Sequence, residues 1–206
     1  MPKVFLNVGG GSKATPIPPY YASWEHHLLD IDPAKSPDLL MDGRNLCEVS
    51  PATYDAVYCS HNLEHYFHHD VPRVLAGFFH VLRDPGFAEI RVPDIGLLVR
   101  DMAARNLDIE DTVYVAPAGP ITARDMLYGF AAEIERSGVD FYAHKTGFTA
   151  NSLPRQILAA GFPVAIVGPG RSWELLGFGF TSEPDDTVKA MLGIGGWGTT
   201  SHATAI

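Results

Sequence analysis

The run Lys3 to Val8 breaks directly into Gly9-Gly10-Gly11, Asp30 stands nineteen residues beyond Gly11, and Asp42 stands twelve beyond Asp30. A β-branched and aromatic run that ends in glycine reads as a buried strand whose end passes close to something else. His27-Leu28-Leu29-Asp30-Ile31-Asp32 reads as a second buried strand, ending in carboxylates. Strands of a parallel sheet open their carboxyl ends onto one crevice. There a Gly-rich turn admits a ligand, and an acid at the next strand end accepts hydrogen bonds from ribose hydroxyls. The spacing constrains the chain to an α/β fold with a nucleotide-type pocket at the sheet ends.

A chain of 206 residues suits one such domain, large enough to bury roughly 70% of the surface its unfolded form exposes. Cys47 and Cys59 are too few for a disulfide framework and imply reduced thiols, so the cytoplasm is the expected location. No stretch approaches a membrane span, and the amino terminus runs straight into a strand without a signal core, so no membrane partner is expected. Fifteen basic and twenty-four acidic residues give a net charge of −9, which repels a phosphate backbone, and no basic patch offsets it. Nucleic acid is therefore not an expected partner, and nothing fixes the state of assembly.

Pro16, Pro18 and Pro19 forbid a regular long helix after the first turn. Asp38 to Met41 and Tyr54 to Cys59 read as strands three and four. Asp70 then reads as the N-cap of a helix carrying Val71, Val74, Leu75, Phe78 and Leu82, stopped by Asp84-Pro85-Gly86 before a strand from Phe87 to Val92. Asp94 precedes an amphipathic helix, and Thr122 with Asp125 forms a capping-box pattern ahead of a helix through Phe130 and Ile134. Leu107 to Pro120 reads as a long loop between them. Residues 95–148 thus read as a helical insertion, or lid, over the pocket. A helix within Thr149 to Ala160 and a closing antiparallel pair, Pro163 to Val167 with Trp173 to Thr181, follow. The expected organisation is one domain over 1–192 and a flexible tail over 193–206.

Taken together these segments resemble the class I S-adenosylmethionine-dependent methyltransferases, and more closely the type 11-like subgroup with a Ser-His-x-x-Glu-His segment. Leu6-Asn7-Val8-Gly9-Gly10-Gly11 is similar to the family's first motif, Asp30-Ile31-Asp32-Pro33 to its ribose-binding strand end, and Asp42-Gly43 to its adenine-side motif. Tyr54 to His65, with Ser60-His61-Asn62-Leu63-Glu64-His65 at its end, resembles strand four and the loop after it. Val81 to Phe87, His144-Lys145 and Ala160-Gly161-Phe162 match the carboxyl half.

The resemblance implies a doubly wound, Rossmann-like, seven-stranded sheet of order 3-2-1-4-5-7-6 with the last strand antiparallel. It also implies methyl transfer from S-adenosylmethionine to a small or medium acceptor. Asn7, Gly9, Gly10, Gly11, Asp30, Ile31, Asp42, Gly43, Ser60 and His61 are then the cofactor-binding candidates. Asn7 stands where many family members carry an acid, and would accept a hydrogen bond from the methionine amino group without full charge assistance. His61, His65 and His144 are the candidate bases, because histidine titrates near neutrality. No metal cluster, aromatic box or basic clamp selects an acceptor.

Three other readings stand beside this one. Gly9 to Ala14 fits the G-x-G-x-x-A fingerprint of NAD(P)-dependent oxidoreductases, although the prolines disturb the helix which that fingerprint requires. His61-Asn62-Leu63-Glu64-His65 spells the inverted zinc-hydrolase motif, which belongs inside a long helix. A cofactor-binding module without catalysis would carry the same pocket residues. Tyr20, Tyr21 and Trp24 read as core and rim packing with a possible place beside the pocket, and Tyr128, Phe141 and Tyr142 as lid aromatics.

Overall fold

The computed structural model describes residues 2–116 and 119–201. Strand β1 (Val4–Val8) is buried almost throughout and ends at Gly9, whose φ of +68° belongs to the left-handed region. The prolines have the predicted effect: between β1 and β2 (Glu25–Asp30) the chain forms one 3-10 turn, Pro19–Tyr21, and no α-helix. Strand β3 (Leu39–Leu40) is short, and β4 (Tyr54–Ser60) is buried along most of its length.

Helix α1 (Val71–Val81) buries Val71, Val74, Leu75 and Phe78, the face its periodicity predicts. Asp70 takes the N-cap position as expected, but its side chain makes no capping hydrogen bond and instead faces Arg44 Nη1 at 3.3 Å. The chain passes from α1 directly into β5 (Leu82–Pro93), which is longer than expected because Leu82 already pairs with Tyr54. Helix α2 (Ile95–Arg105) is capped by Asp94, which accepts from the Leu97 N–H at 2.9 Å.

Two expectations in the following stretch are corrected. The segment read as a loop carries an antiparallel hairpin of β6 (Thr112–Ala116) and β7 (Gly119–Thr122). The Thr122 capping box forms as expected, but the helix it starts, α3 (Ala123–Tyr128), breaks at Gly129 before α4 (Ala131–Ser137). Gly129 has φ +96° and lies so close to the Tyr142 backbone that no side chain fits there.

Helix α5 (Ser152–Ala159) ends ahead of Gly161 (φ +107°), and β8 (Val164–Pro169) and β9 (Glu174–Phe180) form the expected antiparallel pair. Helix α6 (Asp186–Leu192) and strand β10 (Thr199–Ser201) complete the described chain.

The main sheet has eight strands, in the order β3-β2-β1-β4-β5-β9-β8-β10, parallel from β3 to β5 and antiparallel beyond. The expected seven-strand order is thus present with one strand added at the edge. That strand corrects the reading of 193–206 as a flexible tail. Trp197 lies over Gly168 and β-branched Thr199 and Thr200 pair with β8, which ties the chain down as far as Ser201. Residues 202–206 lie outside the described residues.

Both sheet faces are covered. Leu6, Val8, Val57 and Cys59 pack under α1 and α5, while Phe5, Ala56, Tyr58, Phe178 and Phe180 pack with Tyr21, Leu192 and Ile194 on the opposite face. Leu98, Val113, Ala123 and Met126 form a separate small core beneath the hairpin and α2. Among the described residues no helix is long and apolar enough to cross a membrane.

Candidate functional site

The strand order reverses between β1 and β4, and a cavity of about 430 Å³ opens there, at the carboxyl ends of β1, β2 and β4. The glycine turn forms its floor. Gly9 N–H donates to the Leu29 carbonyl at 2.8 Å, which ties the turn to β2, and Gly9 leaves no room for a side chain against Asn62. Asp30, 9% exposed, accepts from the Gly11 N–H at 3.2 Å with Oδ2 and from the Asp32 N–H at 3.0 Å with Oδ1. Each oxygen keeps a lone pair for a ligand hydroxyl.

Asp42 is held by Arg44, whose Nη2 stands 2.7 Å from Oδ2 and whose backbone N–H donates to Oδ1 at 2.9 Å. Burial pulls the Asp42 carboxyl up, but those hydrogen bonds and the Arg44 charge outweigh it and hold it below the usual carboxylate range. The walls include Ile31, Phe67 and Phe141, large apolar side chains left 43%, 51% and 44% exposed. Such exposure inside a cavity suits a flat apolar ligand surface.

Gly9, Gly11, Asp30, Ile31, Asp42, Gly43, His61 and His65 all line this cavity. Asn7, Gly10 and Ser60 do not. Strand alternation puts Asn7 on the Phe5 face, where it is 1% exposed beneath Gly10 and its Nδ2 stands 3.2 Å from His26 Nε2. Asn7 is thus buried beneath the turn instead of lining the cavity, with its Oδ1 left without a partner. Tyr21 packs in the core of the opposite face with Trp24 against it, and Tyr20 and Tyr21 both donate from their hydroxyls to Glu89, so the packing reading of these aromatics holds.

A second cavity of about 460 Å³ adjoins the first and shares His61, His65 and Tyr142 with it. Arg91, Met126, His144 and Glu174 line it, with Tyr114 and Trp173 stacked at 5.5 Å. Two chambers thus meet at two histidines.

The three candidate bases differ electrostatically. His61 sits at φ +50° with Nε2 3.2 Å from Glu174 Oε1 and Nδ1 3.4 Å from Glu64 Oε1. Desolvation lowers its pKa, but Glu174 and Glu64 outweigh this and push it up to about 10. The carboxylates at both ring nitrogens thus favour the imidazolium form, which has no lone pair to take a proton. Burial pushes His144 down against the pull of Glu64, which favours the neutral ring, and its Nδ1 stands 2.9 Å from the Met126 carbonyl. His65 directs Nδ1 to the Ala143 carbonyl at 3.1 Å, with its ring 5.0 Å from that of His144.

The zinc-hydrolase motif does not form. Leu63–His65 is a single 3-10 turn after a left-handed His61, so the two histidines do not share a helical face. A different set does converge. Ligand atoms of Glu64, His65 and His144 lie within 4.8 Å of one another, which corrects the reading that no metal-type cluster exists. Sequence spacing hides it because His144 arrives from 79 residues away. Asn62, Arg44, Tyr66 and Lys145 also line the first cavity without having been singled out, and so do Arg91 and Glu174 in the second. Asn62 and Glu64 were within reach, since they lie inside the segment already marked; Glu174 carries no local signal.

No protein-family model matches this chain, and no curated protein matches it. Solved structures do. A 1,6-didemethyltoxoflavin-N1-methyltransferase from Burkholderia thailandensis, with 1,6-didemethyltoxoflavin and S-adenosylhomocysteine bound, is 16% identical over 88% of this chain and 72% of that one, with a TM-score of 0.50. An S-adenosylmethionine-dependent methyltransferase from Archaeoglobus fulgidus is 11% identical over 87% and 86%, with a TM-score of 0.51. One from Thermotoga maritima is 14% identical over 88% and 84%, with a TM-score of 0.50. The chain has the mostly parallel α/β fold of these methyltransferases.

Proposed function

We propose that this chain is an S-adenosylmethionine-dependent methyltransferase of the type 11-like, Ser-His-x-x-Glu-His subgroup, acting on a small-molecule acceptor. One observation carries the reading: a cavity at the strand-order reversal, floored by Gly9 and Gly11 and flanked by Asp30, opens beside a second chamber of similar size. Methyl transfer needs two substrates held in line with water excluded, and much of the rate comes from that positioning. In this reading the first chamber takes the cofactor. Asp30 accepts from the ribose hydroxyls, Gly43 and Ile31 border the adenine, and the apolar rings of Phe67 and Phe141 cover it. The second chamber takes the acceptor, and residues 95–148 act as its lid within a single domain. His65 or His144 removes the acceptor's proton where one must leave. The unpaired Cys47 and Cys59 fit a reducing compartment, so the cytoplasm is the proposed location.

The oxidoreductase reading loses its physical basis. A dinucleotide fingerprint sets the pyrophosphate on a helix N-terminus, and among the described residues no α-helix follows the Gly9 turn before β2. Calorimetric titration with S-adenosylmethionine, S-adenosylhomocysteine, NAD and NADP tests the choice. Binding of S-adenosylmethionine and S-adenosylhomocysteine, lost in Asp30→Ala, is expected; binding of dinucleotides alone overturns the proposal.

A further inference from the structure

Glu64 is 1% exposed, and neither of its carboxylate oxygens accepts a hydrogen bond. His61 Nδ1 at 3.4 Å and His144 Nε2 at 3.9 Å both face Oε1. The charge of His61 faces Oε1, but Oε2 is left with no partner, and a carboxylate so deeply buried is costly unless it is fully paired or coordinates a metal.

The two histidines beside it are oriented from behind. Each directs Nδ1 at a backbone carbonyl, of Ala143 for His65 and of Met126 for His144. A carbonyl only accepts, so each Nδ1 carries a proton, which leaves Nε2 as the nitrogen able to offer a lone pair. Metal-ligating histidines are fixed in the same way, with the distal N–H donated to a carbonyl or carboxylate. His65 lines both cavities and His144 lines the second, so positions left unfilled by protein face open space.

We propose that Glu64, His65 and His144 bind one divalent first-row transition ion, through a carboxylate oxygen and two Nε2 atoms. Its open positions face the chamber of Arg91 and Trp173, where they take an oxygen donor of the acceptor. Two imidazoles and one carboxylate match the ligand set of open zinc sites. Ligand atoms around such an ion stand about 3.4 Å apart at the usual bond lengths, so the present set, within 4.8 Å, draws inward on loading. His61 belongs to the hydrolase motif and not to this set. The role toward the acceptor rests on the methyltransferase reading, whereas the ion itself does not; with the ion bound both Nε2 lone pairs are committed, so the base role given above to His65 or His144 passes to the ion, which acidifies the acceptor's proton.

Tag-free full-length chain, stripped with EDTA, is titrated with Co²⁺ and followed by visible absorption, with Zn²⁺ competition and metal analysis after dialysis. About one Co²⁺ per chain is expected, with affinity reduced at least about tenfold in His65→Ala and His144→Ala and unchanged in the exposed-loop variant His68→Ala. Acetohydroxamate, a bidentate oxygen ligand, shifts the spectrum of the bound ion. The proposal fails if the wild-type chain binds no stoichiometric Co²⁺, if His144→Ala binds as well as wild type, or if acetohydroxamate leaves the spectrum unchanged. Near-UV circular dichroism in EDTA verifies that each variant is folded, and the wild-type titration decides alone where one is not. S-adenosylhomocysteine binding is measured on the same samples. Retained without Co²⁺ binding, it removes only the metal site; Co²⁺ binding without it removes only the methyltransferase reading.

Discussion

Tyr21 lies nearly flat on Phe5, with ring centroids 4.5 Å apart and planes 21° from parallel. A sheet of parallel strands must be covered on both faces, and the crossover from β1 to β2 normally supplies a helix for this. Here prolines remove the helix, and an aromatic plug fills its place. Trp24 meets Tyr21 edge-on at 5.4 Å, and the Tyr20 and Tyr21 hydroxyls donate to Glu89 Oε2 at 2.7 and 3.0 Å. Arg91 Nε donates to the other oxygen of Glu89 at 2.8 Å, so the buried acid is fully engaged.

Tyr21→Ala is expected to cost about 3–5 kcal/mol, the range for emptying a large aromatic site. Tyr21→Phe keeps the stacking and deprives Glu89 of one donor, at about 1–3 kcal/mol. Urea unfolding separates the two. Equal losses would show that the hydroxyl, not the stacking, holds the segment in place.

The glycine turn predicts a contrast between two neighbours with similar φ, +68° at Gly9 and +65° at Gly11. A methyl group at Gly11 meets nothing within 4 Å, so Gly11→Ala adds only left-handed strain, about 1–2 kcal/mol. At Gly9 the methyl also collides with the Asn62 side chain, which lines the cavity. Gly9→Ala is expected to destabilise more and to weaken S-adenosylhomocysteine binding more than Gly11→Ala, as thermal melts with and without the ligand measure. The reverse order would mean that Asn62 yields freely.

The sheet was legible in the sequence because its signals are local. Val4 to Val8 and Tyr54 to Ser60 are apolar runs, and Asp30 ends a strand one crossover away. The hairpin at Thr112–Thr122 was not legible, because prolines and glycine hide strand residues that pair only with each other. The tail was misread because Trp197 gains its place only when Gly168, on another strand, leaves room for its ring. In the site, spacing marked Gly9, Gly11, Asp30 and Asp42. Spacing says nothing of the direction of Asn7, which is set by the sheet face that the strand register assigns to odd-numbered residues. Glu64, His65 and His144 meet only through the fold.

Acid stability should carry the signature of Asp42. Its folded pKa lies below the ordinary aspartate value of 3.8, so its contribution is fully present above that value and is lost as pH falls through the lower, folded one. The Asp42 side chain is 17% exposed but Arg44 is 42% exposed, so solvent screens the pair and its worth is about 1 kcal/mol. Asp42→Asn keeps a capping oxygen for the Arg44 N–H. It is expected to be less stable than wild type at pH 6, with the gap closing as pH falls below about 4. A gap that persists unchanged at pH 2.5 would assign the loss to packing.

Asp30 joins both functions of the turn, and its variants should separate them. Its two oxygens each accept one backbone N–H, from Gly11 and from Asp32, so it shapes the loop it would also use to hold ribose. Asp30→Asn replaces one acceptor with an NH₂ group that must face a backbone donor, while the other oxygen can still accept. Asp30→Ala removes both acceptors and opens the turn. Losing a hydrogen bond to a charged group costs about 1.5–3 kcal/mol, or roughly 10- to 150-fold in affinity. Asp30→Asn is therefore expected to weaken S-adenosylhomocysteine binding by about that factor in calorimetry and to lower stability measurably. Asp30→Ala should lose more of both. If Asp30→Asn destabilised the chain yet bound the ligand as tightly as wild type at a temperature where both are folded, Asp30 would be a turn residue and the ribose contact would lie elsewhere.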